Sequence, residues 1–287
     1  MKEIVVVSGK GGTGKTSLTA AFADAGAVSL LADCDVDAAD LTCAVVAKIQ
    51  TSHDFYGGRE AIIDWEKCTA CLQCVNACRF DALEQIGAVV SVRPFRCEGC
   101  GVCAVVCPEN AVGFEKARNG EWYHSKTDYG DMIHARLTPG SENSGKLVTR
   151  VREEAKKNAD ESSLLLIDGP PGIGCAVIAA MTGTNAAVIV TEPTLSGIHD
   201  MKRICALARR LKVPPLLVIN KYDLNPDVSS RIEKFSREND IVCMGQIPYA
   251  QEITAAQRRN TSVVRSEPAA EISRHIQTLW KDILNEL

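Results

Sequence analysis

A four-residue apolar run, Ile4–Val7, leads into Gly9-Lys10-Gly11-Gly12-Thr13-Gly14-Lys15-Thr16, and the helical stretch Lys15–Ala25 follows at once. No other feature restricts the fold as tightly. Glycines at GxxxxGK[ST] spacing form a usable cradle when a strand delivers the chain and a helix carries it away. Backbone N–H groups then face one point, and the helix N-terminus adds partial positive charge there. A phosphate suits such a point. Gly9 through Ser17 would line it, Lys15 would reach the β- and γ-phosphates, and the Thr16 hydroxyl would ligate Mg²⁺. A glycine turn without a ligand is the bland alternative, disfavoured by the strand and helix on either side.

Further apolar runs recur at Val28–Ala32, Leu164–Ile167, Ala187–Val190, Leu216–Ile219 and Ile241–Met244, separated by helical patterns. Several are apolar on successive residues, as expected for strands covered on both faces of a mostly parallel sheet. Gly/Pro clusters follow them (DGPPG, TEPTLSG, NKYDLNP, IPYA), placing loops at the carboxyl ends, where open α/β sheets form their ligand crevice.

The rhythm stops after about Gly57 and resumes near Ser144, the expected N-cap of the helix SGKLVTRVREEAKKNA. Eight of the 13 cysteines fall in the gap, between Cys68 and Cys107. A strand pair is expected around Glu121–His124 and Met132–Leu137. The predicted architecture is therefore α/β: a P-loop core over 1–57 and 119–287, with helices on both faces of its sheet, hosting a small α+β domain at 58–118. Insertion at a surface loop with neighbouring ends costs little.

Cys68-x₂-Cys71-x₂-Cys74-x₃-Cys78 and Cys97-x₂-Cys100-x₂-Cys103-x₃-Cys107-Pro108 both resemble the bacterial ferredoxin run. In that family the fourth cysteine of each run ligates the other cluster. The resemblance implies one 4Fe–4S cluster on Cys68, Cys71, Cys74 and Cys107, and a second on Cys97, Cys100, Cys103 and Cys78. Zinc is the competing ligand, but Cys₄ zinc sites use CxxC pairs separated by a loop rather than consecutive quartets. The first quartet lacks the proline that follows Cys107, which bears on its local turn and cluster potential. Cys34, Cys43, Cys205 and Cys243 read as small buried residues.

With Lys10 added to the cradle, KGGTGKT resembles the deviant Walker A family of MinD, the ParA partition ATPases and the nitrogenase iron protein. That resemblance implies a nucleotide-dependent dimer in which Lys10 crosses to the other subunit's nucleotide, in the role of an arginine finger. A solvated loop lysine is the alternative. In LLADCDVDAADL the family pattern assigns Asp35 to the attacking water and Asp33 to the Mg²⁺ shell, with Asp37 the substitute if the register differs. In LLLIDGPPG it makes Asp168 the Walker B carboxylate and Gly169–Gly172 switch II. ATP is the expected nucleotide, with Asn220 and the Pro248 segment flanking the base. Asn220, Lys221 and Asp223 also match the guanine-reading NKxD, which keeps GTP open. Cys175 stands seven residues after Asp168, the offset of a bridging-cluster ligand in the nitrogenase iron protein, although no second ligand accompanies it.

Taken together, the motifs resemble MinD-superfamily ATPases with an inserted ferredoxin domain. The leading function this implies is ATP hydrolysis coupled to electron transfer through two 4Fe–4S clusters, by a homodimer or a heterodimer with a paralogue, acting on an unidentified redox protein. A cluster scaffold or carrier is the second reading, weakened because no CxxC follows Cys107. The third is a positioning ATPase. Its MinD version ends in a basic amphipathic helix, whereas here the stripe Ile272, Ile276, Leu279, Ile283 and Leu287 is flanked by balanced charges and reads as core packing. A net charge of −4 gives no electrostatic case for nucleic acid, and no apolar run of membrane-spanning length occurs. A cytoplasmic protein without a membrane anchor is expected.

Overall fold

The computed structural model describes residues 1–141, 143–157, 159–268 and 270–287. The chain divides into two compact units, the first comprising 1–52, 122–136 and 144–287, the second 53–121 and 137–143. The cysteine-bearing unit is thus wider than the expected 58–118.

In the first unit β1 (Lys2–Ser8), β2 (Leu30–Asp33), β7 (Gly130–Leu137), β8 (Leu164–Pro171), β9 (Ala186–Thr191), β10 (Pro215–Asn220) and β11 (Val242–Ile247) lie side by side in the order β11-β10-β9-β1-β8-β2-β7. Each neighbouring pair in that run is parallel. Strands β6 (Val112–Thr127) and β3 (Lys48–Ile63) each have residues in both units. The mostly parallel α/β sheet expected from the apolar runs is present. β2 starts at Leu30 rather than Val28, and β11 covers Val242–Ile247 rather than Ile241–Met244.

Alternation along the strands shows why both faces are covered. Ile4, Val6, Leu31, Leu166, Val188 and Val218 pack into one cluster with α1 (Lys15–Ala25) and α11 (Glu271–Asn285). The alternate residues Val5, Val7, Leu165, Ile167, Ile189 and Ile219 point the other way and are equally inaccessible. That second face carries α5 (Ser144–Lys157), α6 (Cys175–Met181) and α7 (Leu195–Arg210). Ser144 is the first helical residue of α5 rather than its cap. On α11, Ile272, Ile276, Leu279 and Ile283 are buried, Trp280 stacks on Phe22 at 4.8 Å, and the indole N–H donates to the Gly26 carbonyl at 2.8 Å. The apolar stripe is core packing. No helix among the described residues is long and apolar enough to cross a membrane.

The second unit is built on little apolar material. Its core comprises Ala61, Cys74, Leu83, Val90 and Cys103, with Cys68, Cys78 and Cys97 packed at its edge. Two short helices, α3 (Gln73–Ala77) and α4 (Val102–Val105), each grow out of one cysteine quartet. Strands β4 (Leu83–Ile86) and β5 (Val89–Val92) form an antiparallel pair. Among the described residues the remaining α-helices, all in the first unit, are α2 (Leu41–Ala44), α8 (Pro226–Glu238), α9 (Gln251–Arg258) and α10 (Val263–Ser266).

Candidate functional site

The loop from β1 to α1 turns through two left-handed glycines, Gly12 (φ 81°) and Gly14 (φ 90°). At Gly14 a side chain would strain the backbone and strike the Asn220 amide, since a Cβ there would lie 2.4 Å from Asn220 Nδ2. That amide donates to the Thr13 carbonyl at 2.7 Å and so braces the loop from the end of β10. Gly11, Gly12, Thr13, Gly14, Lys15, Thr16 and Ser17 line a cleft of about 1020 Å³ together with Asp35, Asp37, Asn220 and Pro248. The volume lies at the top of the range of small-molecule sites. Thr13 Oγ1 is buried on the cleft wall without a hydrogen-bond partner among the described residues. An oxygen-rich ligand suits such an orphaned hydroxyl.

Behind the loop, Asp168 is wholly buried and collects three donors: Lys15 Nζ at 2.8 Å, Thr16 Oγ1 at 2.8 Å and Thr19 Oγ1 at 3.0 Å. Asp35 Oδ2 lies 3.5 Å from Lys15 Nζ. Burial alone would lower the Lys15 pKa, yet the charges of Asp168, Asp35 and Asp33 overcome it and raise the value. Burial pushes the Asp35 carboxyl above its usual range, with Lys15 opposing. Asp33 faces Asp168 across the β2–β8 register. It does not reach the cleft, because its two oxygens accept the backbone N–H groups of Asp35 (3.0 Å) and Leu41 (3.2 Å). Burial and the Asp168 charge hold its carboxyl well above the usual range. Thr16 and Asp168 therefore meet where a Mg²⁺ ligand and a Walker B carboxylate are expected to meet.

Gly9 and Lys10 stand apart from the cleft lining. A Cβ on Gly9 would lie 2.4 Å from Asp200 Cβ, so the glycine permits the approach of α7. Lys10 Nζ pairs with Glu192 Oε1 at 2.6 Å and reaches Thr194 Oγ1 and Ser196 Oγ at 3.3 Å each. Lys221 Nζ joins the same carboxylate at 3.4 Å and donates to the Gly12 carbonyl at 3.2 Å. Burial opposes ionisation of Glu192, but the two lysines lower its pKa below the ordinary value. Glu192 escaped the sequence reading, since a carboxylate at a strand end carries no signal of its own. Asp223, the fourth residue of the NKxD match, accepts the Tyr249 N–H at 2.7 Å and does not line the cleft. Cys175 and Cys43 are both exposed and both line it. For Cys43 this corrects the buried reading: α2 is a single turn and covers only Leu41. Cys243 is half-buried, while Cys34 and Cys205 are buried as expected.

In the second unit the quartets mix. Cys68, Cys71, Cys74 and Cys107 line one small cavity, and Cys78, Cys97, Cys100 and Cys103 line another. Backbone N–H groups aim at sulfur: Ala61 at Cys97 (3.3 Å), Ala82 at Cys78 (3.4 Å) and Ala111 at Cys107 (3.3 Å). Donors of this kind suit thiolates. Burial, with thiolate neighbours adding to it, raises the pKa of Cys74 and Cys103. Among the described residues no group of three or more His, Cys, Asp or Glu side chains is disposed to hold a single metal ion. A cubane spreads its four thiolates over four irons, so its ligands stand further apart than four sulfurs around one zinc at about 2.3 Å. Four cysteines lining each cavity, with N–H donors to Cys78, Cys97 and Cys107, suit the ligand set of such a cluster.

The family model of the CobQ/CobB/MinD/ParA nucleotide binding domain matches residues 4–263. An uncharacterized protein of Methanocaldococcus jannaschii is 32% identical over 228 residues, 78% of this chain and 79% of that protein. Indolepyruvate oxidoreductase subunit IorA of Methanothermobacter thermautotrophicus is 36% identical over 55 residues, 19% of this chain and 9% of that one. The septum site-determining protein MinD of Pyrococcus horikoshii, solved with Mg-ADP, superposes with a TM-score of 0.60 at 17% identity, covering 98% of this chain and 95% of that chain. That likeness is one of fold.

Proposed function

The chain belongs to the CobQ/CobB/MinD/ParA nucleotide-binding family, and from that premise we propose an ATPase whose nucleotide-driven dimer switching is coupled to electron transfer through two 4Fe–4S clusters. The observation that carries the cluster half is the crossed grouping of the cysteines. The fourth cysteine of each quartet shares a cavity with the first three of the other. Tandem ligation of one metal per quartet would group them otherwise. When bound, the two clusters supply one-electron carriers.

The chain's own residues do the rest. Thr13, Gly14 and their neighbours bind phosphate, Lys15 offsets its charge, and Thr16 with Asp168 holds Mg²⁺, a role supported by the Mg-ADP complex of the P. horikoshii protein. Asp35, in the cleft and 3.5 Å from Lys15, orients the attacking water. Lys10 acts on the partner subunit's nucleotide after leaving Glu192. Asp33 links this chemistry to movement, because the carboxylate beside Asp168 also holds the N–H of Leu41 at the start of α2. ATP is favoured over GTP by the engagement of Asp223 with Tyr249. The partner is a second copy or a paralogue, together with a redox protein.

A second reading, a cluster scaffold or carrier, draws on the exposure of Cys71 and Cys100, one in each set. Anaerobic purification with iron and sulfide analysis, EPR of the reduced protein, and ATPase assays with and without reductant separate the readings. Tightly held clusters whose potential or electron-transfer rate shifts with MgATP support coupling. Transfer of iron to an apo-acceptor supports the carrier, and zinc or empty thiols remove both.

A further inference from the structure

The cysteine-bearing unit contains a second concavity, about 590 Å³, that the nucleotide chemistry does not use. Ala61, Cys97 and Glu98 line both this cleft and the cavity of the Cys78/Cys97/Cys100/Cys103 set, so the two share a wall. Two large aromatics stand in the cleft lining with their surfaces in solvent, Trp65 at 66% and Phe95 at 68% exposure. Phe95 is held there against backbone preference, at φ 60°. A bulky residue in the left-handed region is strained, and such strain clusters at ligand sites.

Charge narrows the ligand. Of the three arginines in the lining, Arg93 is paired with Glu84, and Arg118 with Asp54 and Glu121. Arg59 has no carboxylate partner among the described residues. The Gly99 carbonyl accepts its Nε–H at 3.0 Å, and its guanidinium lies 4.5 Å from the centroid of the Phe114 ring. Glu60, Glu98 and Glu115 also line the cleft, which leaves no favourable seat for a phosphate. Exposed aromatic faces and one available guanidinium suit a flat, uncharged ring bearing carbonyl oxygens.

We propose that this cleft binds an uncharged planar redox ring, the chemistry shared by isoalloxazines and naphthoquinones, against the Cys97 wall of the second cluster. The proposal rests on the cluster reading above. Each reduced cluster would give up one electron, so two electrons together with two protons from solvent convert the oxidised ring to its dihydro form. An external one-electron reductant, such as dithionite, restores the clusters.

Riboflavin and 2,3-dimethyl-1,4-naphthoquinone are the probes, titrated anaerobically into the cluster-loaded full chain by fluorescence polarisation and equilibrium dialysis. Saturable binding of either ring is expected, weakened at least tenfold in the Trp65→Ala/Phe95→Ala double variant with iron and sulfide content unchanged. Which probe binds identifies the ring type, and flavin mononucleotide should bind no more tightly than riboflavin. Absence of saturable binding to both rings, or binding indifferent to Trp65 and Phe95, overturns the proposal. If the purified protein carries no clusters yet binds a ring through these aromatics, the ring site stands and the electron-transfer reading falls.

Discussion

Lys10 Nζ rests 2.6 Å from Glu192 Oε1, so within one chain the residue expected to act on another subunit is held by its own carboxylate. Thr194 and Ser196 accept from the same ammonium. For Lys10 to reach a partner's nucleotide, all three contacts must be given up. The lysine thus has a resting position that the proposed trans role requires it to leave.

Removing that position should favour the dimer. Both side chains are partly exposed, so the pair is worth no more than about 1 kcal/mol. Glu192→Gln is expected to tighten ATP-dependent dimerisation by up to about fivefold for each subunit that carries it, measured by sedimentation at several protein concentrations. Lys10→Ala should keep its iron and its dimer-independent nucleotide binding but lose hydrolysis. Normal hydrolysis by that variant would show that Lys10 has no trans role.

Asp168 and Lys15 form a buried pair, and the thiol-rich unit is not needed to see its cost. Asp168→Asn leaves the Lys15 ammonium buried with Asp35, 3.5 Å away, and the charge of Asp33 to compensate. A loss of about 3 kcal/mol is expected, at the low end for an unpaired buried charge because Asp35 remains. Urea unfolding of the nucleotide-free protein checks this. Adding Lys15→Met to Asp168→Asn should recover part of the loss, while hydrolysis is abolished in both variants.

Legibility in the sequence followed the physics of each element. Strands covered on both faces write continuous apolar runs, and β1, β8, β9 and β10 were readable from Ile4–Val7, Leu164–Ile167, Ala187–Val190 and Leu216–Ile219. The helix Lys15–Ala25 was bounded on both sides by glycine and matches α1. β3 and β6, sixteen residues each, were missed or reduced to a fragment because their exposed positions are filled with polar side chains. The cleft-lining glycines follow from spacing, and the two cysteine sets from the resemblance of their runs to the ferredoxin pattern. Glu192 does not, since its partner lies on the first loop and only the folded sheet brings them together.

His134 should give the fold a specific acid sensitivity. It is buried, lies 2.8 Å from Ser125 Oγ through Nε2, and stacks on Tyr123 at 5.0 Å. Burial, aided by Arg136, lowers its pKa to about 4 from the ordinary 6.5. The unfolded chain therefore takes up the proton first. The contribution is fully present above pH 6.5 and is lost as pH falls from 6.5 toward 4, by up to about 3 kcal/mol. His134→Gln should flatten that interval relative to the parent when urea unfolding is compared at pH 7 and pH 5. An unchanged slope would mean that the imidazole takes up its proton at the same pH in the fold as in the unfolded chain.

The crossed cysteine sets make a prediction that tandem ligation does not. Cys107 shares a cavity with Cys68, Cys71 and Cys74, while Cys78 shares one with Cys97, Cys100 and Cys103. Cys107→Ser should therefore perturb the cluster held by the first three cysteines of the first quartet, and Cys78→Ser the other. Each single variant is expected to lose up to half of the bound iron or to change one of two EPR signals. The combination Cys68→Ser/Cys107→Ser should spare the second signal, because both changes fall on one cluster. Cys68→Ser/Cys78→Ser should damage both, although these two residues belong to the same quartet. If the second combination instead left one cluster untouched, each quartet would be holding its own metal and the crossed arrangement would be wrong.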